Sequence, residues 1–215
     1  MASSSYPAGK TFFSTVKKSY VDVPVDQSKD NAVSTSEFLE ANESLLSLFD
    51  LLGSGAFSLV TKDLANNIKK VRTRQLEKPA ESETIQDLVK NEIKDGKSTA
   101  TEGLLWLLRG LEFASASIGL NLTKPDKELG PCFQEGYGNT LSNHHGAAVK
   151  IVVKPLLGQL PYRKDFYAKL GADHELVEAE MKAWVEAFQK IVDILQTFMQ
   201  SPLVQNGLPK KKGWF

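Results

Sequence analysis

This sequence predicts an all-α fold, and three observations predict it. Apolar residues recur at helical spacing over long stretches, most plainly at Leu176, Val177, Met181, Trp184, Val185, Phe188, Ile191, Val192, Leu195 and Phe198, which lays one apolar stripe along a helix. Capping residues and glycines bracket such stretches. No segment shows the period-two alternation of a half-buried strand. Periodicity by itself specifies a helical bundle, and 215 residues suffice for one well-buried domain.

Residues 1–34 are rich in Ser, Lys, Asp and Val without a sustained helical period. A partly ordered arm is expected there, with Phe12, Phe13, Val16 and Tyr20 able to dock as a short amphipathic turn. Ser34-Thr35-Ser36-Glu37 reads as a helix start, a hydroxyl cap ahead of an acidic residue, and Phe38, Leu39, Leu45, Leu46, Leu48 and Phe49 carry that helix to about residue 52. Gly53-Ser54-Gly55 stops it. Residues 59–77 form a second helix, and 83–95 a third with Ile85, Leu88, Val89 and Ile93 inward, ended by Gly96. Residues 99–122 predict a long apolar helix. Ala and Leu supply its propensity, and Ala114, Ser115, Ala116, Ser117 and Gly119 permit close packing, so it is expected at the centre. A turn over 125–130 leads to one helix over 132–157, tolerating Gly136, Gly138 and Gly146. A short helix at 165–170 and a long amphipathic one over 173–200 complete a domain of residues 35–200, with 201–215 as a tail.

Lys+Arg and Asp+Glu are equal at 26 each, so no global field draws the chain to nucleic acid, and any membrane contact must be local. The single Cys132 has no intrachain partner for a disulfide. Met1-Ala2-Ser3-Ser4-Ser5-Tyr6-Pro7 lacks the apolar core of a signal peptide, which makes the cytosol the expected compartment. Asp50, Gly53 and Gly55 interrupt residues 45–57, and Lys150, Lys154 and Pro155 interrupt 147–157, so no bilayer-spanning stretch of about 18 residues is expected. Asn42-Glu43-Ser44 and Asn121-Leu122-Thr123 are read as chance glycosylation sequons. His144 and His145 have no metal partners in sequence, and no nucleophile triad or phosphate loop is present. Neither a cofactor nor a metal is expected.

Two segments carry polar groups where a buried helix has little room for them. Asp63, Asn67 and Lys70 stand at i, i+4 and i+7 within Asp63-Leu64-Ala65-Asn66-Asn67-Ile68-Lys69-Lys70, so they share one stripe that offers an acceptor, an amide and a cation. In isolation this reads as a solvated intrahelical pair worth about 0.5 kcal/mol. Trp106 and Arg109 stand at i and i+3 among leucines in Leu104-Leu105-Trp106-Leu107-Leu108-Arg109-Gly110-Leu111, and a tryptophan in such company is ordinarily core. Together, however, an aromatic plate and a cluster of hydrogen-bonding side chains suit a sugar, whose C–H face lies on the ring while its hydroxyls bond in the plane. Hydrolysis of a glycoside would need two placed carboxylates. This stripe shows Asp63, with Glu102 and Glu112 unproven as companions, so an enzyme is not expected.

The order D-x-x-x-N-x-x-K, L-L-W-x-x-R-G-L, His145-Gly146 and Pro161-Tyr162-Arg163-Lys164-Asp165-Phe166, over roughly residues 38–198, resembles the glycolipid transfer protein family. Thr11-Phe12-Phe13-Ser14-Thr15-Val16-Lys17 and residues 162–170 resemble its heterokaryon-incompatibility branch. The resemblance implies about eight helices in a two-layer sandwich enclosing a lipid-chain tunnel, and a carrier of glycosphingolipids such as galactosyl-, glucosyl- or lactosylceramide that touches membranes transiently. It implies that Asp63 accepts from a head-group hydroxyl and the ceramide amide, Asn67 bonds hydroxyls from both ends of its amide, Lys70 donates to the sugar, Trp106 is the stacking platform and His145 bonds the amide carbonyl. Arg109 is either a donor near the head group or a partner holding Asp63. Phe49, Phe57, Leu111, Phe113, Val149 and Val153 are nominated as tunnel lining. Since each methylene costs about 0.8 kcal/mol in water, free passage of a two-chain lipid costs on the order of 20 kcal/mol, and a tunnel removes that barrier.

Ala147 stands where relatives carry a large aromatic, and Glu102 where some carry an apolar residue. Tyr137, Trp214 and Phe215, the last two beside Lys210-Lys211-Lys212, are the candidates for membrane docking. The alternatives are a ceramide-1-phosphate carrier, for which the family pattern replaces Asn67 and Trp106 by basic residues, and a sensor or adaptor acting through a protein partner.

Overall fold

A computed structural model of the chain describes residues 6–53 and 57–208, which are all-α apart from one short β pair. Two brief helices, α1 (Phe12–Thr15) and α10 (Pro202–Gly207), bracket eight longer ones: α2 (Thr35–Leu51), α3 (Ser58–Glu77), α4 (Ile85–Lys94), α5 (Thr99–Thr123), α6 (Leu129–Asn139), α7 (Ala147–Leu157), α8 (Arg163–Leu170) and α9 (His174–Met199). Strands β1 (Val25–Asp26) and β2 (Ala32–Val33) pair antiparallel with Val25 opposite Val33.

The apolar α5 lies at the centre, with α3, α4, α6 and α9 against it. Missing side chains set its closest approaches. A Cβ at Gly110 would stand 2.6 Å from Leu64 Cδ2, and one at Gly103 would stand 2.9 Å from Lys70 Cβ, so glycines seven residues apart let α3 lie directly on α5. On another face Gly136 of α6 meets Ser117. By length and hydropathy α5 could cross a bilayer, contrary to the expectation of no such stretch, but 72% of its most apolar window is buried inside the fold.

The structure departs from the sequence expectation at three places. From residue 6 the N-terminal segment is part of the core rather than a partly ordered arm: Phe12, Phe13, Tyr20 and Val33 are buried. Tyr20 stacks on Phe188 with ring centroids 4.1 Å apart and donates to Asn42 Oδ1 at 2.8 Å. These aromatics are too sparse to show a period, yet each fills a groove against α9 or α2. The tail is likewise structured over 201–208, where Val204 and Leu208 are buried and Gly207 packs on Ile93. Finally, the single helix expected over 132–157 is two. α6 ends at Asn139, a 3-10 turn covers Leu141–His144, and α7 begins after an extended Gly146. Glycines weaken this stretch, and Thr140 and Ser142 hydroxyls donate to the carbonyls of Gly136 (2.7 Å) and Gly138 (3.1 Å), the local bonding that competes with helix continuation.

Both sequons are structural asparagines. Asn42 Nδ2 donates to the Phe38 carbonyl at 2.7 Å, and Asn121 Oδ1 accepts from Arg163 Nη1 (2.8 Å) and the Tyr167 hydroxyl (3.1 Å). Arg163, from the Pro161–Phe166 motif, thereby ties α8 to the end of α5, with its guanidinium 4.3 Å from the Tyr167 ring centre.

Candidate functional site

Three elements deliver the polar cluster. On α3, Asn67 is buried while Asp63 and Lys70 reach solvent on either side of it. Asn67 Nδ2 donates to Asp63 Oδ2 at 3.2 Å, and Lys70 Nζ donates to Asn67 Oδ1 at 3.1 Å. The amide therefore holds acceptor and cation at fixed separation. On α5, Trp106 is half-buried, and the buried Arg109 lies over it with Cζ 4.6 Å from the ring centre. His145 comes from the break between α6 and α7. Its ring lies 6.4 Å from that of Trp106 at an interplanar angle of 20°, which an uninterrupted helix over 132–157 would not have left free to turn inward.

The electrostatics follow from this packing. Although Asp63 keeps access to solvent, the surrounding protein raises its pKa above the usual carboxylate value, against the opposing pull of Lys70, His145 and the Asn67 amide. Burial lowers His145, with Asp63 opposing and Lys150 and Arg109 adding to the fall, so the imidazole is neutral near pH 7. The pair thus presents a carboxyl acceptor beside a neutral ring.

Tyr137 has a different place from the one expected. It is 2% exposed, so it has no free face for membrane docking. Its hydroxyl lies 2.9 Å from His145 Nδ1 and its ring packs edge-on against Phe113. Burial raises its pKa, so the phenol keeps its proton; with that proton donated to Nδ1, the imidazole carries its own on Nε2. Tyr137 is the site residue that sequence reasoning misplaced, and the signal available was its position eight residues before His145 across a glycine-rich break. Trp214 and Phe215 lie outside the described residues. Of the two readings of Arg109, the geometry sets the guanidinium on the indole, and the carboxylate whose field opposes its depressed pKa is Glu112 rather than Asp63.

Beneath the polar cluster the nominated lining residues divide. Phe49, Phe57, Leu111 and Phe113 are buried, and the three phenylalanine rings form a column with Phe133 and Tyr137: Phe49 to Phe57 at 4.8 Å, Phe57 to Phe133 at 5.4 Å, Phe133 to Phe113 at 5.8 Å and Phe113 to Tyr137 at 6.0 Å. Val153 is partly buried against this core. Val149 is 43% exposed and faces outward, because α7 presents much of its apolar surface to solvent: Ile151 is 75% and Val152 51% exposed, flanked by Lys150 and Lys154. An apolar run around two lysines was the sequence signal for this face. Among the described residues no cluster of three or more metal-ligating side chains occurs.

Residues 33–172 match the glycolipid transfer protein (GLTP) family. The chain is 49% identical over 197 residues to a glycolipid transfer protein of Aureobasidium melanogenum, covering 92% of this chain and 96% of the relative. Its structure is similar to the crystal structure of HET-C2, a fungal glycolipid transfer protein, with TM-score 0.88 and 50% identity over 91% of this chain and all of the other. It also resembles the FAPP2 domain whose structure describes how simple glycosphingolipids are selected with the GLTP fold, with TM-score 0.83 and 28% identity over 94% of this chain and 99% of that one.

Proposed function

The chain belongs to the glycolipid transfer protein family, and on that premise we propose that it carries one glycosphingolipid at a time between membranes. The observation that carries this reading is the convergence of Asp63, Asn67, Lys70, Trp106 and His145 at the head of a column of packed aromatic rings. The sugar stacks on Trp106, whose ring is stiffened from beneath by Arg109, while its hydroxyls bond Asp63, Asn67 and Lys70. The ceramide amide is gripped at both ends, its N–H donating to Asp63 and its carbonyl accepting from His145 Nε2. A bare phosphate would favour several cations, whereas Asn67 and Trp106 supply an amide and an aromatic plate; this supports sugar over ceramide-1-phosphate.

The chains enter the aromatic column by parting its rings, and the protein interior replaces water around their methylenes. No catalytic step is part of this function. The exposed face of α7 is the membrane contact: Val149, Ile151 and Val152 insert among acyl chains, and Lys150 and Lys154 meet anionic head groups. The protein works from the cytoplasm and leaves the bilayer once loaded.

Transfer of labelled galactosylceramide, lactosylceramide and ceramide-1-phosphate between vesicles tests the reading, with Asp63→Val and Trp106→Ala proteins alongside. Glycolipid movement lost in both variants is the expected result. Selective movement of the phosphate lipid would overturn the head-group assignment, and no movement of any lipid would overturn the carrier itself.

A further inference from the structure

His145 reaches the head-group cluster only because the chain turns back on itself between α6 and α7. Tyr137 and His145 are eight residues apart, and in a continuous helix they would lie about 12 Å apart along the axis and about 80° apart around it. Instead the Tyr137 hydroxyl and His145 Nδ1 are 2.9 Å apart. The turn that closes this gap starts at the half-buried Thr140, whose backbone (φ −125°, ψ −97°) is neither helical nor extended.

Thr140 is tied to the centre of the fold. Its N–H and its hydroxyl both donate to the Gly136 carbonyl, at 3.1 and 2.7 Å. Gly136 in turn sits directly on α5, where a Cβ would stand 2.2 Å from Ser117 Oγ and 3.1 Å from Ser117 Cα. Ser117 is fully buried, and its hydroxyl donates to the Phe113 carbonyl at 2.7 Å. A short chain of contacts thus runs from the helix that carries Trp106 to the residue that ends α6. Past Thr140 the turn follows bond by bond: the Asn143 N–H donates to the Thr140 carbonyl and the His145 N–H to the Ser142 carbonyl, each at 3.1 Å.

We infer that Thr140 is a positioning residue for lipid recognition, its hydroxyl fixing the direction in which the chain leaves α6 and so the place of His145 beside Trp106. The inference rests on the carrier reading above and deepens it. Thr140 touches no lipid in it and acts through His145. The bond from its N–H to Gly136 is one that a continuing helix would also make, and glycines at 136, 138 and 146 leave this stretch little conformational preference of its own. The second bond, from the side chain, is the kind that bends or stops a helix, and the branched Cβ fits a helix interior poorly. With the hydroxyl gone, the turn loses its fixed start. His145 then spends part of its time away from the indole, and the Nε2–H that meets the amide carbonyl is no longer held ready for it.

The test pairs Thr140→Val, which keeps the shape and loses the hydroxyl, with Thr140→Ser, which keeps the hydroxyl. Thr123→Val is a matched control: that hydroxyl makes the same kind of bond, to the Gly119 carbonyl at 2.9 Å, at the end of α5, where the next turn carries no residue of the cluster. Galactosylceramide binding by titration, the melting temperature and the nitrogen chemical shifts of His145 in the unliganded protein are measured for each. Thr140→Val should raise Kd about fivefold and move the His145 shifts, Thr140→Ser should stay near wild type in both, and Thr123→Val should change neither. In a His145→Ala background, Thr140→Val should leave Kd where it was. A lower melting temperature in Thr140→Val with wild-type Kd and His145 shifts would overturn the inference and leave Thr140 a helix stop alone. An equal rise of Kd in Thr123→Val, or a loss in Thr140→Ser as large as in Thr140→Val, would overturn it too. Wild-type protein that binds no galactosylceramide would overturn the carrier reading instead, and the His145 shifts of the unliganded variants would still decide the role of Thr140.

Discussion

Replacing Tyr137 by Phe removes one hydroxyl and nothing else from the site. The ring is buried, packs against Phe113 at 6.0 Å and stays where it is. What is lost is the 2.9 Å bond to His145 Nδ1, and with it the preference for the tautomer that points an N–H at the ligand. A neutral side-chain bond of this kind is worth about 1 kcal/mol, which corresponds to roughly a fivefold rise in Kd. The lost bond lowers unfolding free energy by a similar amount, about 0.5–1.5 kcal/mol. Glycolipid binding by titration, vesicle transfer and nitrogen chemical shifts of His145 measure the three consequences. In a double-mutant cycle, His145→Ala should abolish most of the effect of Tyr137→Phe, since the two act through one bond. Wild-type affinity and an unchanged tautomer in Tyr137→Phe, alongside a strong loss in His145→Ala, would refute the orienting role.

Asp63→Asn should raise Kd by about 10- to 100-fold, the worth of a charge-assisted bond. Its effect on stability should run the other way: a carboxyl whose folded pKa lies above its unfolded value contributes most below the unfolded value and loses that contribution as pH rises through the folded one, so the neutral amide should not destabilise the unliganded protein at pH 7 by thermal melting. Because ligand donors favour the ionised carboxylate, glycolipid affinity should fall as pH drops through the raised Asp63 pKa, and an affinity flat from pH 7 to pH 3 would contradict this. Gly110→Ala should lower stability by about 1–3 kcal/mol of overpacking against Leu64, less the roughly 1 kcal/mol gain in helix propensity, read from denaturant midpoints. Ile151→Ser with Val152→Ser should weaken partition onto anionic vesicles by about tenfold or more while leaving the melting temperature within a few degrees, since both side chains already face water.

The long helices were legible because each carries a periodic apolar face and recognisable ends: α3, α5 and α9 lie within a residue or two of the expected bounds. The α3 stripe was legible for the same reason, since spacing on one helix fixes which side chains share a face. What the sequence withheld depends on residues far apart in the chain. Phe13 and Tyr20 show their roles only once α9 presents Trp184 and Phe188 to them. Tyr137 looked like an exposed aromatic because its partner, His145, becomes its neighbour only after the chain breaks between α6 and α7. The Ser34 hydroxyl, expected to cap α2 through backbone, bonds the Glu37 side chain instead. Arg74 lies in phase with Leu64, Asn67, Ile68 and Val71 on the buried face of α3, but a charged residue there reads as solvated until the end of α4 brings Asp95 to it.

The placement of the indoles has an optical consequence. Trp184 sits among Phe13, Tyr20 and Phe188 and is 1% exposed, so its emission should be blue and indifferent to cargo. Trp106 is half-open, with a guanidinium on one side and an imidazole 6.4 Å away, and a sugar laid on it displaces water from the ring. With Trp184 and Trp214 both changed to Phe, the remaining fluorophore sits at the point of recognition. Loading and unloading of the protein could then be followed in real time by its own light, without a label on the lipid.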